Sequence, residues 1–242
     1  MTRLLAVLCG LALVAGGCGS EDQEDPGAAL DAAAKKTAAS ESNRQEFSVV
    51  SDLDGSEFTM NGEGTFSADS TRGRMTFEMD AEGFQGPFEA ITDGRVTYLK
   101  GDQLPLPPGK EWVKTLAAPS SALSPREFVD FLRDSGEVDN EGTEEIRSEE
   151  TTHYRGSVNL RELAEASRSE LLRRLNQASD VDALDTTIDI WVRQDGLLAR
   201  LALEVRPPQD EVSGSVKVTT DILEYDVEVD AEPPPASKVV EG

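Results

Sequence analysis

Along two parts of the chain, hydrophobic and polar residues alternate with a period of two. In the first part, the alternating apolar positions are Phe47, Val49, Phe58, Met60, Met75, Phe77 and Met79. This alternation predicts half-buried antiparallel strands, because successive side chains of a strand point to opposite faces of its sheet. Residues 95–100 and 111–116 continue the strand pattern on either side of a proline-rich loop at 104–109.

The strand pattern returns in the last third of the chain. Its apolar positions are Ile188, Ile190 and Val192 on one strand and Leu201, Leu203 and Val205 on the next. We expect a last strand from Val216 to Val229, followed by the prolines at 233–235. The apolar residues of this strand lie at even positions before Asp221 and at odd positions after Ile222. This shift by one residue predicts a β-bulge that bends the sheet. Between the two parts, residues 143–158 predict two short strands.

Four dipeptides that tolerate positive φ angles predict tight turns between these strands. They are Asp54-Gly55, Asn61-Gly62, Asp93-Gly94 and Asp195-Gly196. Repeated turns of this kind indicate an antiparallel meander of hairpins.

Composition and capping residues predict three helices. The first covers residues 28–39, an alanine-rich segment with Pro26 near its first turn and lysines near its end. The second begins at the capping box 124–127 and ends at Gly136. The third opens at Asn159, with Glu162 three residues later, and extends to about Ala178.

The first 17 residues predict an export signal, with Arg3 followed by an apolar run that ends at Ala15. This run is shorter than the roughly 20 residues that a membrane-spanning helix needs. Gly16, Gly17 and Cys18 resemble a lipobox, in which the cysteine is acylated and becomes the new N-terminus. Cys9 lies inside the apolar run and is the weaker candidate. A secreted form without lipid and an uncleaved form are the alternatives.

The predicted domain organisation follows from this signal. After residues 1–17, residues 18–27 are acidic and polar and predict a flexible tether. Residues 28–234 form one domain, and residues 235–242 are expected to be a tail. A mature chain whose one cysteine is acylated has no intrachain disulfide, so the domain must be stabilised by an apolar core.

The net charge of −24 limits the partners. Nucleic acid is excluded as a partner, because no basic stripe is present to replace the counterions of phosphates. An anionic membrane surface repels such a body, so the acyl chains on Cys18 would provide the membrane anchor. Solubility at the cell surface is the simplest role of the charge itself.

The order of segments gives a family resemblance. The segments are DGRVTYLKGD with EWVK, SPREFVDFL, THYRGSVNL, DIWVRQDGLLARLALEV and SGSVKVTTDILEYDVEV. From Ala28 to Pro234 the chain resembles the LppX/LprAFG lipoproteins of actinobacteria, which are similar in shape to the lipoprotein carrier LolA. The resemblance implies an α+β fold, in which a curved antiparallel half-barrel carries helices on its concave face. It also implies an apolar cavity for the acyl chains of lipids or lipoglycans, and it assigns a function to Cys18 alone.

Seven apolar residues are the candidates for lining such a cavity. They are Phe47, Phe58, Met60, Phe77, Met79, Phe128 and Phe131. Methionine adapts its shape easily and suits a surface that accepts a flexible hydrophobic ligand. The same residues are equally suited to an ordinary, filled core, and both interpretations stay open.

The sequence offers little support for catalysis, metal binding or a cofactor. His153 is the one histidine, no Gly-x-Ser-x-Gly motif accompanies it, and we expect it at an exposed strand position. One histidine and an acylated cysteine are too few ligands for zinc. Residues 52–57 faintly resemble a calcium loop but are too short, and a hairpin turn is expected instead.

Two functional hypotheses follow. The first is a non-enzymatic, membrane-anchored lipoprotein that binds or carries a lipid or lipoglycan on the extracytoplasmic side of the cell membrane. The second is an envelope interaction or sensor module with a filled core, which docks a protein partner through its acidic surface.

Overall fold

The computed structural model describes residues 25–116, 129, 138–157, 161, 185–207 and 213–242. Helix α1 spans Pro26–Ala38, and a short 3-10 helix spans Ala236–Lys238. The strands are β1 Ser42–Leu53, β2 Ser56–Ser67, β3 Arg72–Ala81, β4 Phe84–Asp93, β5 Val96–Gly101, β6 Trp112–Thr115, β7 Val138–Ile146, β8 Glu149–Ser157, β9 Asp185–Arg193, β10 Leu198–Arg206, β11 Gly214–Tyr225 and β12 Val239–Glu241. The predicted helices at 124–136 and 159–178 lie outside the described residues, apart from Val129 and Arg161.

The strands form one open sheet of 12 strands in the order β12-β6-β5-β4-β3-β2-β1-β11-β10-β9-β8-β7. The pairing of β12 with β6 is parallel, and every other pairing is antiparallel. The prediction of an antiparallel meander is therefore confirmed. β1 pairs with β11, so the N-terminal and C-terminal parts of the chain meet in the middle of the sheet.

The first predicted helix, expected at 28–39, is confirmed as α1, which begins two residues earlier and ends one residue earlier. The Asp25 side chain accepts a hydrogen bond from the Gly27 amide at 3.1 Å, Pro26 is the first helical residue, and Lys35 and Lys36 lie in the last turn. Leu30 and Ala33 are almost fully buried. The helix packs on one face of the sheet, against β7 and β10.

Cross-strand pairing separates the sheet into two chemically different faces, because residues directly opposite each other in antiparallel strands share a face. We call the face that carries α1 the apolar face. It includes Phe47, Met60 and Phe77 of the first strands and Ile190 and Leu201 of the last ones. The alternate residues, among them many carboxylates and arginines, form the polar face.

Three of the four predicted turns are confirmed, and the fourth is wrong. Asp54-Gly55, Asp93-Gly94 and Asp195-Gly196 lie in turns between strands, whereas Asn61-Gly62 lies in the middle of β2. A Cβ atom at Gly62 would be 2.3 Å from the Thr76 carbonyl oxygen and 2.8 Å from Phe47 Cζ. Glycine is therefore needed here for close packing across the sheet rather than for a turn.

The predicted bulge in the last strand is confirmed. Gln45 pairs with Ile222 and Arg44 pairs with Glu224, which leaves Leu223 as the extra residue on β11. β11 ends at Tyr225, earlier than the expected Val229, because Asp226 takes a positive φ of 57° and turns the chain.

The expectation of a tail at 235–242 needs correction. Residues 239–241 form β12, which extends the sheet beyond β6. Lys114 Nζ donates to Glu241 at 2.9 Å, and the Glu111 amide donates to the Lys238 carbonyl at 2.9 Å. The segment before β12 places Ala231 against Ile91 and Trp112 on the polar face.

The β7–β8 hairpin folds over the polar face. Its turn residue Arg147 forms an ion pair with Asp221 of β11 and another with Glu46 of β1. In a flat sheet, β8 and β1 are four strand spacings apart, or roughly 19 Å, which is far beyond the reach of an arginine side chain. The sheet must therefore curve, and Ile146 packs on Trp191 and Ala202 beneath the hairpin.

We expect Gly62→Ala to destabilise the protein by about 2 kcal/mol, since the new methyl group collides with backbone that cannot move independently. Urea unfolding measures the change as a lower midpoint. Gly27→Ala is the control, because its Cβ would meet only Asp25 Oδ1, at 3.5 Å. Equal midpoints for the two variants would contradict the packing role of Gly62.

Candidate functional site

An aromatic row crosses the apolar face from β1 to β5. In order of pairing it consists of Phe47, Gly62, Phe77, Phe88 and Gly101. The ring centroids of Phe77 and Phe88 are 5.3 Å apart with an interplanar angle of 19°, and those of Phe47 and Phe77 are 6.5 Å apart. Each glycine leaves room for a neighbouring ring, since a Cβ at Gly101 would lie 2.4 Å from the Phe88 ring.

The structure brings together the five candidate lining residues that it describes. Phe47, Phe58, Met60, Phe77 and Met79 all lie on the apolar face of β1–β3. Phe77 is buried, at 6% exposure, and the other four are half-buried. The remaining two candidates, Phe128 and Phe131, lie outside the described residues.

Sequence reasoning missed several members of the same cluster. Phe66, Met75, Phe88 and Ala90 are its other buried residues, and Leu99 and Leu104 pack against it. The sequence did indicate Met75, because it alternates with Phe77 and Met79 along the same strand and therefore shares their face. Phe88 carried no such signal, since its strand contains Gly86 and Pro87 and lacks a clear alternation.

A second apolar cluster lies under α1, and its residue types differ. It consists mainly of aliphatic side chains from α1, β9 and β10, including Leu30, Ile188, Ile190, Leu198 and Leu201, each at most 1% exposed. Val129 is fully buried in this cluster. The apolar face therefore has a tightly buried aliphatic half and a Phe- and Met-rich half that is partly exposed.

Tyr225 closes the aliphatic half at the end of β11. Its hydroxyl donates to the Leu198 carbonyl oxygen at 2.9 Å, and burial raises the pKa of this phenol above its ordinary value. The side chain therefore stays neutral and joins β11 to β10.

An open groove of about 670 Å³ lies on the opposite, polar face of β1–β5. Its charged lining residues are Glu46, Glu63, Glu78, Glu89, Asp102 and Lys100. Placing an acyl chain there would remove water from several carboxylates without replacing their hydrogen bonds. This groove is therefore less suited to an acyl chain than the Phe- and Met-rich half of the apolar face.

The prediction that His153 is exposed is wrong. Its exposure is 4%, its ring stacks on Trp191 with centroids 4.4 Å apart, and its Nε2 lies 2.7 Å from Asp189 Oδ1. Its other ring nitrogen is 3.5 Å from Glu144 Oε1. In the part of the chain that the structure describes, its polar contacts are carboxylates rather than a hydroxyl or thiol, so the geometry lacks a nucleophile–base pair.

Asp221 is the buried centre of an ionic network on the polar face. Its side chain is 9% exposed and accepts hydrogen bonds from Arg200 Nη2 at 2.8 Å and Arg147 Nε at 3.0 Å. Burial by itself would raise the pKa of this carboxyl, but the two guanidinium groups more than offset that effect and lower the pKa below its usual range. The network joins β1, β10, β11 and the β7–β8 turn.

Within the described ranges, no group of three or more His, Cys, Asp or Glu side chains is placed to hold a metal ion. Among the same residues, no helix has the length and apolar character needed to cross a membrane.

Comparison with solved structures identifies the class of fold, an open antiparallel sheet of the kind found in two mycobacterial lipoproteins. The lipoprotein LppX of Mycobacterium tuberculosis matches with a TM-score of 0.55 and 15% identity, over 85% of this chain and 97% of LppX. LprF of Mycobacterium bovis matches with a TM-score of 0.52 and 13% identity, over 86% of this chain and 96% of LprF. These matches confirm the predicted resemblance at the level of the fold.

Sequence comparison adds one distant relative. An uncharacterised 31.2 kDa protein of Streptomyces griseus, from the rplA–rplJ intergenic region, is 29% identical over 123 residues. The match covers 49% of this chain, and the chain spans 39% of that relative. No family model matches the chain.

We expect Asp221→Asn to cost about 2 kcal/mol of stability at neutral pH, because two partly exposed arginines lose their shared buried carboxylate. The folded pKa of Asp221 is lowered, so its contribution is complete above about pH 4 and is lost as the pH falls through the folded value. The difference between wild type and variant should therefore narrow below about pH 4. Denaturant unfolding of both proteins at several pH values measures this difference in the free energy of unfolding.

Asp93→Asn is the control for this prediction. Asp93 pairs with Arg72 at 3.7 Å, but the Asp93 side chain is 47% exposed, so its loss should change stability by less than about 1 kcal/mol. A cost for Asp221→Asn that stays constant from neutral pH to about pH 2 would show that the ionised carboxylate is not responsible.

Proposed function

We propose that this chain is a membrane-anchored lipoprotein of the extracytoplasmic side, which binds a hydrophobic ligand without chemical turnover. The observation that carries the proposal is the half-exposed aromatic and methionine surface on the apolar face of β1–β5. The ligand class that fits it is the acyl chains of a lipid or lipoglycan. About 0.8 kcal/mol per buried methylene is sufficient for capture by burial alone.

The composition of the surface supports ligand binding. Phe47, Phe58, Met60 and Met79 are half-buried, although residues of this type stabilise a core most when they are fully buried. Methionine side chains and flat aromatic rings adapt to chains of varying shape. The likeness to LppX and LprF, which concerns the fold, is compatible with this role.

The filled-core alternative is an interaction or sensor module without a ligand, and one observation favours it. Phe66, Met75, Phe77 and Phe88 are between 4% and 7% exposed, as ordinary core residues are. The two functions differ in whether purified protein carries lipid. Native mass spectrometry distinguishes them, since a bare polypeptide mass from several expression hosts supports the filled core.

Met60→Asp should reduce co-purified lipid about tenfold or more, because it places a carboxylate within the proposed acyl-chain surface. Thr59→Asp is the matched control. It adds the same charge one residue away on the same strand, but on the polar face. Circular dichroism confirms folding of both variants, and native mass spectrometry measures bound lipid. Equal losses of lipid in the two variants would contradict ligand binding on the apolar face.

The anchor is tested separately. We expect Cys18→Ser to prevent acylation and to move the protein from the membrane fraction to the soluble fraction of the expressing cells, because the two-chain anchor is lost. Mass analysis of the wild-type product should show a diacylated N-terminal cysteine. An unmodified thiol at Cys18, or an intact Met1, in the native product would contradict the anchor.

A further inference from the structure

Two amide side chains lie on the apolar face, next to its Phe- and Met-rich half. Asn43 and Gln45 precede Phe47 on β1 at alternate positions, and Gln45 lies between Ile222 of β11 and Gly64 of β2. Gln45 is 6% exposed and Asn43 is 4% exposed. Burial of an amide on an apolar face costs free energy unless its polar groups find hydrogen-bond partners. The presence of this pair therefore asks for a partner.

The two amides satisfy each other only in part. Gln45 Nε2 donates a hydrogen bond to Asn43 Oδ1 at 2.6 Å. Among the described residues, neither side chain takes part in another hydrogen bond. Because a primary amide carries two N–H donors and a carbonyl acceptor, the pair keeps unused N–H groups and an unused carbonyl oxygen. Exchanging the nitrogen and oxygen positions in both amides leaves the same groups unused.

The unused amide atoms are accessible to a ligand. Among the described residues, the fully enclosed side-chain atoms without a partner are Thr37 Oγ1 and Thr186 Oγ1. The amide atoms of Asn43 and Gln45 are not in this group, so they keep contact with accessible space although their residues are almost fully buried. Gly64 contributes to this access, because the position directly opposite Gln45 on β2 carries no side chain.

The amide pair lies at one end of the Phe- and Met-rich surface. At about 3.3 Å per residue, Gln45 is about 7 Å from Phe47 and about 20 Å from Ser51, which pairs with Phe58. One acyl chain spans about half of the hydrocarbon core of a bilayer, or about 15 Å. A chain whose polar end is at Gln45 therefore extends over Phe47 and Met60 toward Phe58.

From this arrangement we propose that Asn43 and Gln45 bind the ester linkage of an acylated lipid. The unused N–H groups donate to the ester carbonyl oxygen, and the unused amide oxygen accepts from a neighbouring hydroxyl group of the glycerol or sugar. The acyl chain then lies on the Phe- and Met-rich half of the apolar face. This inference rests on the proposed lipid-binding function, and it adds a polar site that distinguishes ester-linked from ether-linked chains.

The discrimination has a physical cause in the unused N–H groups. An ether-linked lipid has no carbonyl oxygen at the linkage, so its binding would cover these groups without giving them a partner. Leaving a buried donor unpaired costs more than a net hydrogen bond contributes, and sites built around such groups reject ligands that lack the matching atom. Because the amides are uncharged, the preference should change little with ionic strength.

The test offers the full-length protein, in mild detergent, an equimolar mixture of dipalmitoylglycerol and its diether counterpart dihexadecylglycerol. The two lipids have the same chain length and the same free hydroxyl group, and they differ in the linkage alone. Native mass spectrometry counts each bound lipid. We expect an ester-to-ether capture ratio of about five, at low and at high salt.

A double variant isolates the amide pair. Asn43→Leu combined with Gln45→Met removes both amides and nearly conserves side-chain volume. Replacing both partners of a buried hydrogen bond by apolar groups of similar shape is close to neutral or stabilising, so its urea midpoint should equal or exceed that of the wild type. Its ester-to-ether ratio should fall to about one, with capture of the ether lipid maintained or increased.

Thr186→Val is the control for the double variant. It removes a polar group from the apolar face of β9, opposite Val205, but the Thr186 hydroxyl is fully enclosed and out of a ligand's reach. The ester-to-ether ratio of this control should stay close to the wild-type value.

The outcomes separate the inference from the proposed function. A wild-type ratio near one, an unchanged ratio in the double variant, or an equal fall in the control would overturn the role of the amide pair while leaving lipid binding intact. Capture of neither lipid by the wild-type protein would overturn both.

Discussion

The register between neighbouring strands is the constraint on which the rest of the structure depends. A slip of one residue would move the whole apolar set of a strand to the polar face. In the first strands, Gly62 and Gly101 prevent such a slip, because each lies where a ring of the opposite strand, Phe47 or Phe88, occupies the space of a side chain. Shifting either strand would bring a Cβ atom into the ring.

β11 pairs with β1 on one side and with β10 on the other. The bulge at Leu223 decides which side chains at the end of β11 point to the apolar face. Before the bulge, Ile222 packs in the aliphatic cluster under α1. After it, Tyr225 also lies on the apolar face, opposite Asn43, and its hydroxyl reaches the Leu198 carbonyl. With strict alternation the tyrosine would point to the polar face. The extra residue therefore keeps Ile222 and Tyr225, on either side of the bulge, on the same apolar face of the sheet.

Local patterns in the sequence predict most of the strands, three turns, helix α1 and the bulge, because short-range geometry decides these features, but they miss β4 and β12. The failures have longer-range causes. Asn61-Gly62 has the composition of a turn, but packing of Phe47 and Phe77 from neighbouring strands keeps it extended. Arg147 and Ser148 form a turn with φ angles of 51° and 67° without the glycine that usually marks one. His153 is buried by Trp191 and Asp189, which are distant in sequence. The five described candidate lining residues share a face, which follows from their alternation along each strand together with the pairing register.

The two halves of the apolar face differ in a way that suits a binding protein. The half under α1 is aliphatic, almost fully buried and joined on its other side by the Asp221 network, so it has the features of a stable scaffold. The other half combines stacked rings and methionines with partial exposure. The proposed ligand-binding function needs both properties, because a surface that exchanges ligands cannot also provide the stability of the fold. Their separation along one continuous sheet allows the adaptable half to vary while the register of the scaffold stays fixed.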